Sequence, residues 1–555
     1  MATKNIFDFH FHLLFKHKLM TGVDLGKDIN VRGIAEALDE LSGGAFDSQS
    51  SPNLLSKSPV CVGVTSLLAV EHAFANKILH IAGINFSFLL GNLNRKMFEA
   101  IKNGETTYYE LFKDQLKFYL DNKTRLAKDY NIEYLQRSDA QWKKKPLDDI
   151  VKTLSGGKKR YLALSIEGGH NLSNVPIKRG VPSNNPELQL KEIQDRNDVD
   201  IMSLNLCHLS FIPEQELSGF AQGLNKGAQF AFKSDDFIPK AGLGITQKGK
   251  NVIRQALTHQ TKPVLIDVKH MSVYSRFHFY RYREKLIDEI QEVRRLPIIS
   301  SHTGFTFISM KDYVGKKLFM ANKMEVEGEK FCEVIPENRF IGETNDRKNK
   351  ELYSNPWSIG LFDEEITEIM LSKGMIGISM DQRVLGALKA NDGKRKKYYE
   401  REFVAEPEWQ KLFIDGIFPT GEEKFIEELF GRPPRAERHM MLFCMHLVHA
   451  VHIGNESMAW VENTTPWDHL CIGSDFDGLI NPLNPYKNIT KMDKMAEDLY
   501  EYLPVADKYI SSGKSKALKY NEDGSVNKAF LEKVIDDVLF NNGVRFTARY
   551  LRNWE

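Results

Sequence analysis

Eight short apolar segments, most of them closing on a polar residue, recur along this chain and limit what it can fold into. They span 6–12, 60–68, 161–167, 201–207, 264–270, 297–302, 375–380 and 469–475. Patterns of helical spacing lie between most of them, as at 251–259, 283–294, 363–373 and 438–449. Strands alternating with helices build a parallel sheet from βαβ units. Eight such units predict an α/β fold, a closed (β/α)8 barrel of the TIM type.

A compact barrel needs about 250 residues and tolerates long insertions, so a chain of 555 residues carries a surplus. The whole chain, 1–555, reads as one catalytic (β/α)8 domain with insertions at about 92–149, 304–355 and 386–438. The first insertion is charged and aromatic and reads as helices. The third holds the runs GKRKKYYERE and GRPPRAER, which read as solvated surface. The tail, 527–554, reads as a helix, a short NNG turn and a second helix.

Lys plus Arg total 75 and Asp plus Glu total 74. That balance lacks the basic excess of a nucleic-acid binder, and the basic run at 393–401 is too short to supply it. Five cysteines with no CxxC pair argue against a thiolate zinc site and against a disulfide scaffold. The most apolar stretch, 78–90, contains His80 and Asn85 and falls short of the roughly 18 residues a membrane span needs. The opening MATKNIFDFHFH has no basic segment followed by a long apolar run, so a cytoplasmic protein is expected.

The chemistry sits where the apolar segments end. In Phe7-Asp8-Phe9-His10-Phe11-His12, alternation puts Asp8, His10 and His12 on one face and three phenylalanines on the other. Two imidazoles at i and i+2 can chelate a metal ion, although HxH alone fits a pair of core histidines equally well. The other ends weigh against that bland reading. Glu167 closes an apolar strand, where a carboxylate is costly unless paired or metal-bound. Gly168 and Gly169 then permit a sharp exit. His270, His302 and Asp475 close three further segments. The C-terminal ends of barrel strands form the active-site rim, so His10, His12, Glu167, His270, His302 and Asp475 should converge. Four imidazoles and two carboxylates suit borderline divalent metals such as Zn²⁺. Six groups exceed one tetrahedral site but suit two ions sharing a carboxylate, which in such sites stand about 3.5–4 Å apart.

The ordered set FDFHFH, LSIEGGH, LNLCHLSF, LIDVKHMS, IISSHTGF and CIGSDFDG resembles the membrane dipeptidase (renal dipeptidase) family of the amidohydrolase superfamily. The resemblance runs from residue 6 to just past 478. It implies a binuclear zinc peptidase with two Zn²⁺ per chain, hydrolysing dipeptides by a hydroxide that bridges the ions. By that resemblance Glu167 bridges the two zincs, His10 and His12 hold one, and His270 and His302 hold the other. Asp475 corresponds to the proton-transfer residue and His208 to the histidine that contacts the substrate carbonyl. The resemblance also implies a homodimer and a small peptide-like substrate. Another amidohydrolase activity, such as deacylation of N-acyl amino acids, and a catalytically silent barrel serving as a binding protein are the rival readings.

Three departures stand out. The family pairs His with Asp on the first strand, whereas here His10 pairs with His12. The family's arginine downstream of the sixth-strand histidine has no counterpart in TGFTFISMKDYVGKK. Arg347 or Arg383 are the candidates to grip a substrate carboxylate in its place. The seventh strand ends in Ser379-Met380-Asp381-Gln382-Arg383, so Asp381 and Arg383 either contact substrate or pair with each other. His446, His449 and His452 read as packing, His170 as a neighbour of the bridging glutamate, and Asp477 as a loop-shaping residue. Strict alternation puts Asp267 and Lys269 on the face opposite His270, which assigns them no catalytic role.

Overall fold

A computed structural model describes residues 5–30, 47–78, 93–142, 144–157, 159–177, 185–212, 216–223, 235–239, 244–310, 313, 318–326, 329–336, 339–343, 351–386, 402–412, 436–511 and 516–554. Arg347, the basic run at 393–401 and most of the apolar stretch at 78–90 lie outside them. The strands in chain order are β1 (Ile6–Phe11), β2 (Val60–Leu67), β3 (Ile132–Tyr134), β4 (Arg160–Ile166), β5 (Ile201–Asn205), β6 (Leu265–Asp267), β7 (Ile299–Thr303), β8 (Leu318–Val326), β9 (Glu329–Pro336), β10 (Arg339–Glu343), β11 (Glu351–Ser354), β12 (Met375–Ser379), β13 (Glu402–Ala405) and β14 (Leu470–Gly473).

Eight of these close a parallel barrel in the order β1, β14, β12, β7, β6, β5, β4, β2, with β2 returning to β1. All eight predicted segments hold a barrel strand. Each strand is buried almost throughout, because helices cover its outer face and the barrel interior its inner one. The added strand β3 pairs with Arg160–Leu162 at the start of β4, while β5 pairs with Leu164–Ile166. Since β2 occupies the other edge of β4, β3 and β5 share one edge in succession.

The first insertion carries β3 as well as the expected helices, Arg95–Asn103, Tyr108–Asp121, Lys123–Tyr130 and Leu147–Leu154. The other two insertions fold together. Strands β8 and β9 follow β7, and β13, from the segment after β12, adds to their edge as a three-stranded antiparallel sheet. Cys332 and Val334 of β9 pack with Trp409, from the helix Glu406–Leu412, against Val273, Ile308, Tyr313 and Phe362. Arg276, 1% exposed, ties this region to the barrel rim: it donates to both oxygens of Glu365 at 2.6 and 2.9 Å and to the carbonyls of Met271 and Ser358. Glu402 accepts from the backbone N–H and the hydroxyl of Ser358, and Glu408 accepts from Gly244 N–H.

The tail departs from its predicted turn. Helix Lys528–Asp536 runs through one π-helical turn, Asp537–Asn541, into helix Asn542–Leu551 without reversing. Gly543 serves close approach there, since a Cβ would collide with the Phe7 ring. Asn542 donates to the carbonyls of Trp467 and Leu470, so two of the three residues that suggested a turn dock the helix on β1 and β14. The outward Phe9 meets Phe546 edge-on, at 5.5 Å between centroids.

Two predictions test this packing. A Cβ on Gly473 would drive into the Ser301 carbonyl across the barrel interior. Gly473→Ala should therefore lower unfolding free energy by about 3 kcal/mol or prevent folding, as overpacking does, read from urea denaturation. Burial pushes the carboxyls of Glu402 and Glu408 up to about 7, with the hydroxyl and amide donors around each opposing it. A raised carboxyl binds a proton in the folded chain where the unfolded chain has lost it, so stability is full below about pH 4.5 and falls as pH rises through 7. The fall should reach roughly 3 kcal/mol per group, and Glu402→Gln should flatten its share of a stability–pH curve.

Candidate active site

The barrel brings His10, His12, Glu167, His270, His302 and Asp475 together at the C-terminal ends of β1, β4, β6, β7 and β14. Glu167, 1% exposed, is the hub. Its Oε1 lies 3.1 Å from His270 Nε2, 3.4 Å from His10 Nε2 and 3.6 Å from His302 Nε2, and its Oε2 lies 3.0 Å from His12 Nε2. Asp475 Oδ1 stands 3.8 Å from both His10 Nε2 and His12 Nε2. The Nε2 atoms of His270 and His302 are 3.1 Å apart. Three overlapping triads have ligand atoms within 4.8 Å of one another: His10–His12–Glu167, His10–His302–Asp475 and Glu167–His270–His302.

Local backbone aims these groups. Asp475 and His270 both sit in left-handed conformation, with φ of 63° and 71°. Such backbone is uncommon for residues other than glycine and persists only where the surroundings impose it. Asp8 imposes part of it. Its carboxylate accepts from Ser474 N–H and hydroxyl at 2.9 and 2.5 Å, and Asp475 N–H donates to the His10 carbonyl. Asp477 shapes the following loop, accepting from Gln49 N–H, Ser50 N–H and Lys16 Nζ.

The donor set fits a metal. Nε2 of His10 and Nε2 of His12 are buried without an aligned hydrogen-bond partner, although carboxylate oxygens lie within 3.0–3.4 Å. Neither nitrogen is committed to an aligned hydrogen bond, and both belong to triads whose spacing suits a metal ion. Burial keeps His12, His270 and His302 below the usual imidazole range, His270 at about 3. Neutral imidazole is the form that binds metals. Burial also opposes charge on His10, but Glu167, then Asp475, overcome it and push His10 up to about 9. Glu167 is held well below the carboxylate range, chiefly by His10 and His208, against burial. Burial raises Asp475 to about 8, with Glu167 and Asp381 adding to it and His10 opposing.

His208 faces the cluster with Nε2 3.7 Å from Glu167 Oε1. Asp381 and Arg383 pair with each other: Arg383 Nε and Nη2 bind Asp381 Oδ2 at 2.9 and 2.7 Å, and Nη2 also donates to the Leu479 carbonyl. His446 accepts from Phe305 N–H, His449 meets Asp363 at 2.7 Å and His452 meets Ser511 at 2.8 Å, all away from the cluster. His170 bonds the Ala69 carbonyl.

One reading needs correction. Lys269 is 2% exposed, its ammonium has no hydrogen-bond partner among the described residues, and its charge acts on Asp475, Asp381 and Asp267. Asp267 likewise acts on His10. Both side chains are buried, and Asp267 accepts from the N–H of Ser301, the residue before His302, at 3.1 Å. β6 ends at Asp267 and His270 is left-handed, so strict strand alternation does not extend to residues 269 and 270. Glu71 was missed altogether. It lies 3.1 Å from His208 Nδ1, and its only sequence signal is a charged residue soon after an apolar strand.

Breaking the rim pair gives a test. Arg383→Ala leaves the buried Asp381 carboxylate uncompensated and should cost about 3 kcal/mol of stability, read from denaturant midpoints, with Asp381→Asn in the same chain recovering part of it.

No family model matches this sequence, and a search of curated proteins finds no match. Solved structures do resemble the fold. A metallo peptidase from Rhodobacter sphaeroides, liganded with a phosphinate mimic of the dipeptide L-Ala-D-Ala, is 12% identical, with 99% of each chain covered and a TM-score of 0.42. The probable dipeptidase PvdM from Pseudomonas aeruginosa is 11% identical, covering 100% of this chain and 96% of its own, with a TM-score of 0.44. An amidohydrolase from Pseudomonas aeruginosa is 10% identical, covering 99% and 96%, with a TM-score of 0.37. The closed parallel sheet itself establishes the barrel.

Proposed function

We propose that this chain is a metal-dependent hydrolase of the membrane dipeptidase type, acting as one catalytic unit on the amide bond of a dipeptide. The observation that carries the reading is the convergence of four buried imidazoles on one buried carboxylate, with ligand atoms grouped in overlapping triads. His10, His12 and Glu167 would hold one ion, and Glu167, His270 and His302 a second. The resemblance of the motifs supports zinc and a dipeptide substrate. When bound, two such ions supply a water acidified to near neutrality and polarise the scissile carbonyl.

The chain's own residues do the rest. Asp475, 3.8 Å from two imidazole nitrogens of the cluster, takes the proton from the attacking water and delivers it to the leaving amine. His208, on a different strand end, presents Nε2 as a donor to the oxygen on which negative charge develops. The barrel wall excludes water, since every proposed ligand is at most 4% exposed. Among the described residues no helix is long and apolar enough to cross a membrane.

The deciding experiment is hydrolysis of L,L- and L,D-dipeptides by zinc-loaded protein. Cleavage abolished by a chelator and restored by zinc is expected. Cleavage of N-acyl amino acids alone would move the assignment to a deacylase, and a protein that retains no zinc after dialysis would end the metallohydrolase reading. Glu167→Gln should lower kcat by at least about 10³-fold, the scale of losing a group that acts only in the transition state, while circular dichroism stays unchanged. Near-normal turnover would exclude Glu167 as the shared ligand.

A further inference from the structure

Four residues beyond β2, Glu71 is buried, with 1% of its surface exposed. Its Oε1 instead lies 3.1 Å from Nδ1 of His208 and accepts from Leu209 N–H at 3.3 Å. Two donors from consecutive residues thus converge on one carboxylate oxygen. The opposite nitrogen of the same ring, Nε2, faces Glu167 at 3.7 Å. The His208 ring also meets the His270 ring edge-on, with centroids 4.7 Å apart.

The segment that carries Glu71 is held as firmly as a strand. Leu68 N–H donates to the Gln115 side chain and Ala69 N–H to Asn171 Oδ1, both at 2.8 Å, and His72 N–H donates to the Tyr108 hydroxyl at 3.0 Å. Asn171 in turn donates to the carbonyls of Glu167 and Gly168. One side chain therefore couples the backbone beside Glu71 to the backbone of the cluster's central carboxylate.

We propose that Glu71 is a positioning residue for His208: it holds the imidazole with a proton on Nδ1 and turns Nε2 into the active site. An ionised carboxylate only accepts hydrogen bonds, so its contact with Nδ1 requires an Nδ1–H and fixes which edge of the ring faces inward. Without that partner the ring can flip about its Cβ–Cγ bond and present carbon in place of nitrogen. This inference rests on the role given to His208 in the proposed hydrolase, but its physical core is the state of the ring, which can be read without any substrate.

The test uses full-length protein labelled with ¹⁵N-histidine, with His208 resonances identified by their loss in His208→Gln. Wild-type protein should show a protonated Nδ1, Glu71→Leu should lose that signature, and Glu71→Gln should keep it, because the amide oxygen can accept from both Leu209 N–H and Nδ1–H. In zinc-loaded protein, Glu71→Leu should lower kcat on a cleaved dipeptide about 10–100-fold, the range for residues that orient an active-site group indirectly. KM should move far less than kcat, and Glu71→Gln should recover most of the loss. An unprotonated Nδ1 in wild type overturns the proposal, and so does a Glu71→Leu variant with both signature and kcat intact. If that variant does not fold, the wild-type and Glu71→Gln spectra decide. If wild type cleaves no dipeptide, the hydrolase reading fails while the spectra still settle the ring.

Discussion

A carboxylate buried among imidazoles organises the open end of this barrel. Glu167 would be costly in an apolar strand end, and each surrounding group answers that cost: His10, His12, His270, His302 and His208 all supply nitrogens within 4 Å. The burial that disfavours charge on Glu167 also keeps three of the imidazoles neutral. Neutral nitrogens around an anion leave a deficit of positive charge, which is the condition a divalent cation satisfies. Much of the nearby backbone is explained by the same demand, including left-handed residues at positions 270 and 475.

The insertions follow a different logic. They are far apart in sequence yet form a single three-stranded sheet, because neither β8–β9 nor β13 buries its apolar face alone. Arg276 anchors the barrel side of that contact with five protein acceptors. One of them lies in the rim: the Met271 carbonyl follows His270 directly, so the cap and the cluster share a support.

Much of this was legible from residues alone. The barrel followed from eight apolar segments, since a parallel strand buried on both faces leaves an unbroken apolar run. The convergence followed from where polar residues interrupt those runs. What escaped reading was set by single backbone torsions and by distant partners. Lys269 was assigned outward because alternation assumes a regular strand, and β6 stops two residues earlier. Asn542-Gly543 looked like a turn because the same two residues that favour turns also favour close packing, here on Phe7. Glu71 had no motif at all, since its meaning depends on His208, which lies 137 positions away in the chain.

The hydrogen bonds between Asp8 and Ser474 join the first and last barrel strands across 466 positions. The cluster inherits that separation, because His10 and Asp475 meet only when this seam closes. Contacts of such span carry a large loop-closure entropy and form late in folding. During synthesis the ribosome must deliver β14 before the seam can zip. The histidines of β1 therefore wait exposed for most of translation, able to meet metal only in transient, incomplete sets, and a selective site exists only once the ring of strands is shut.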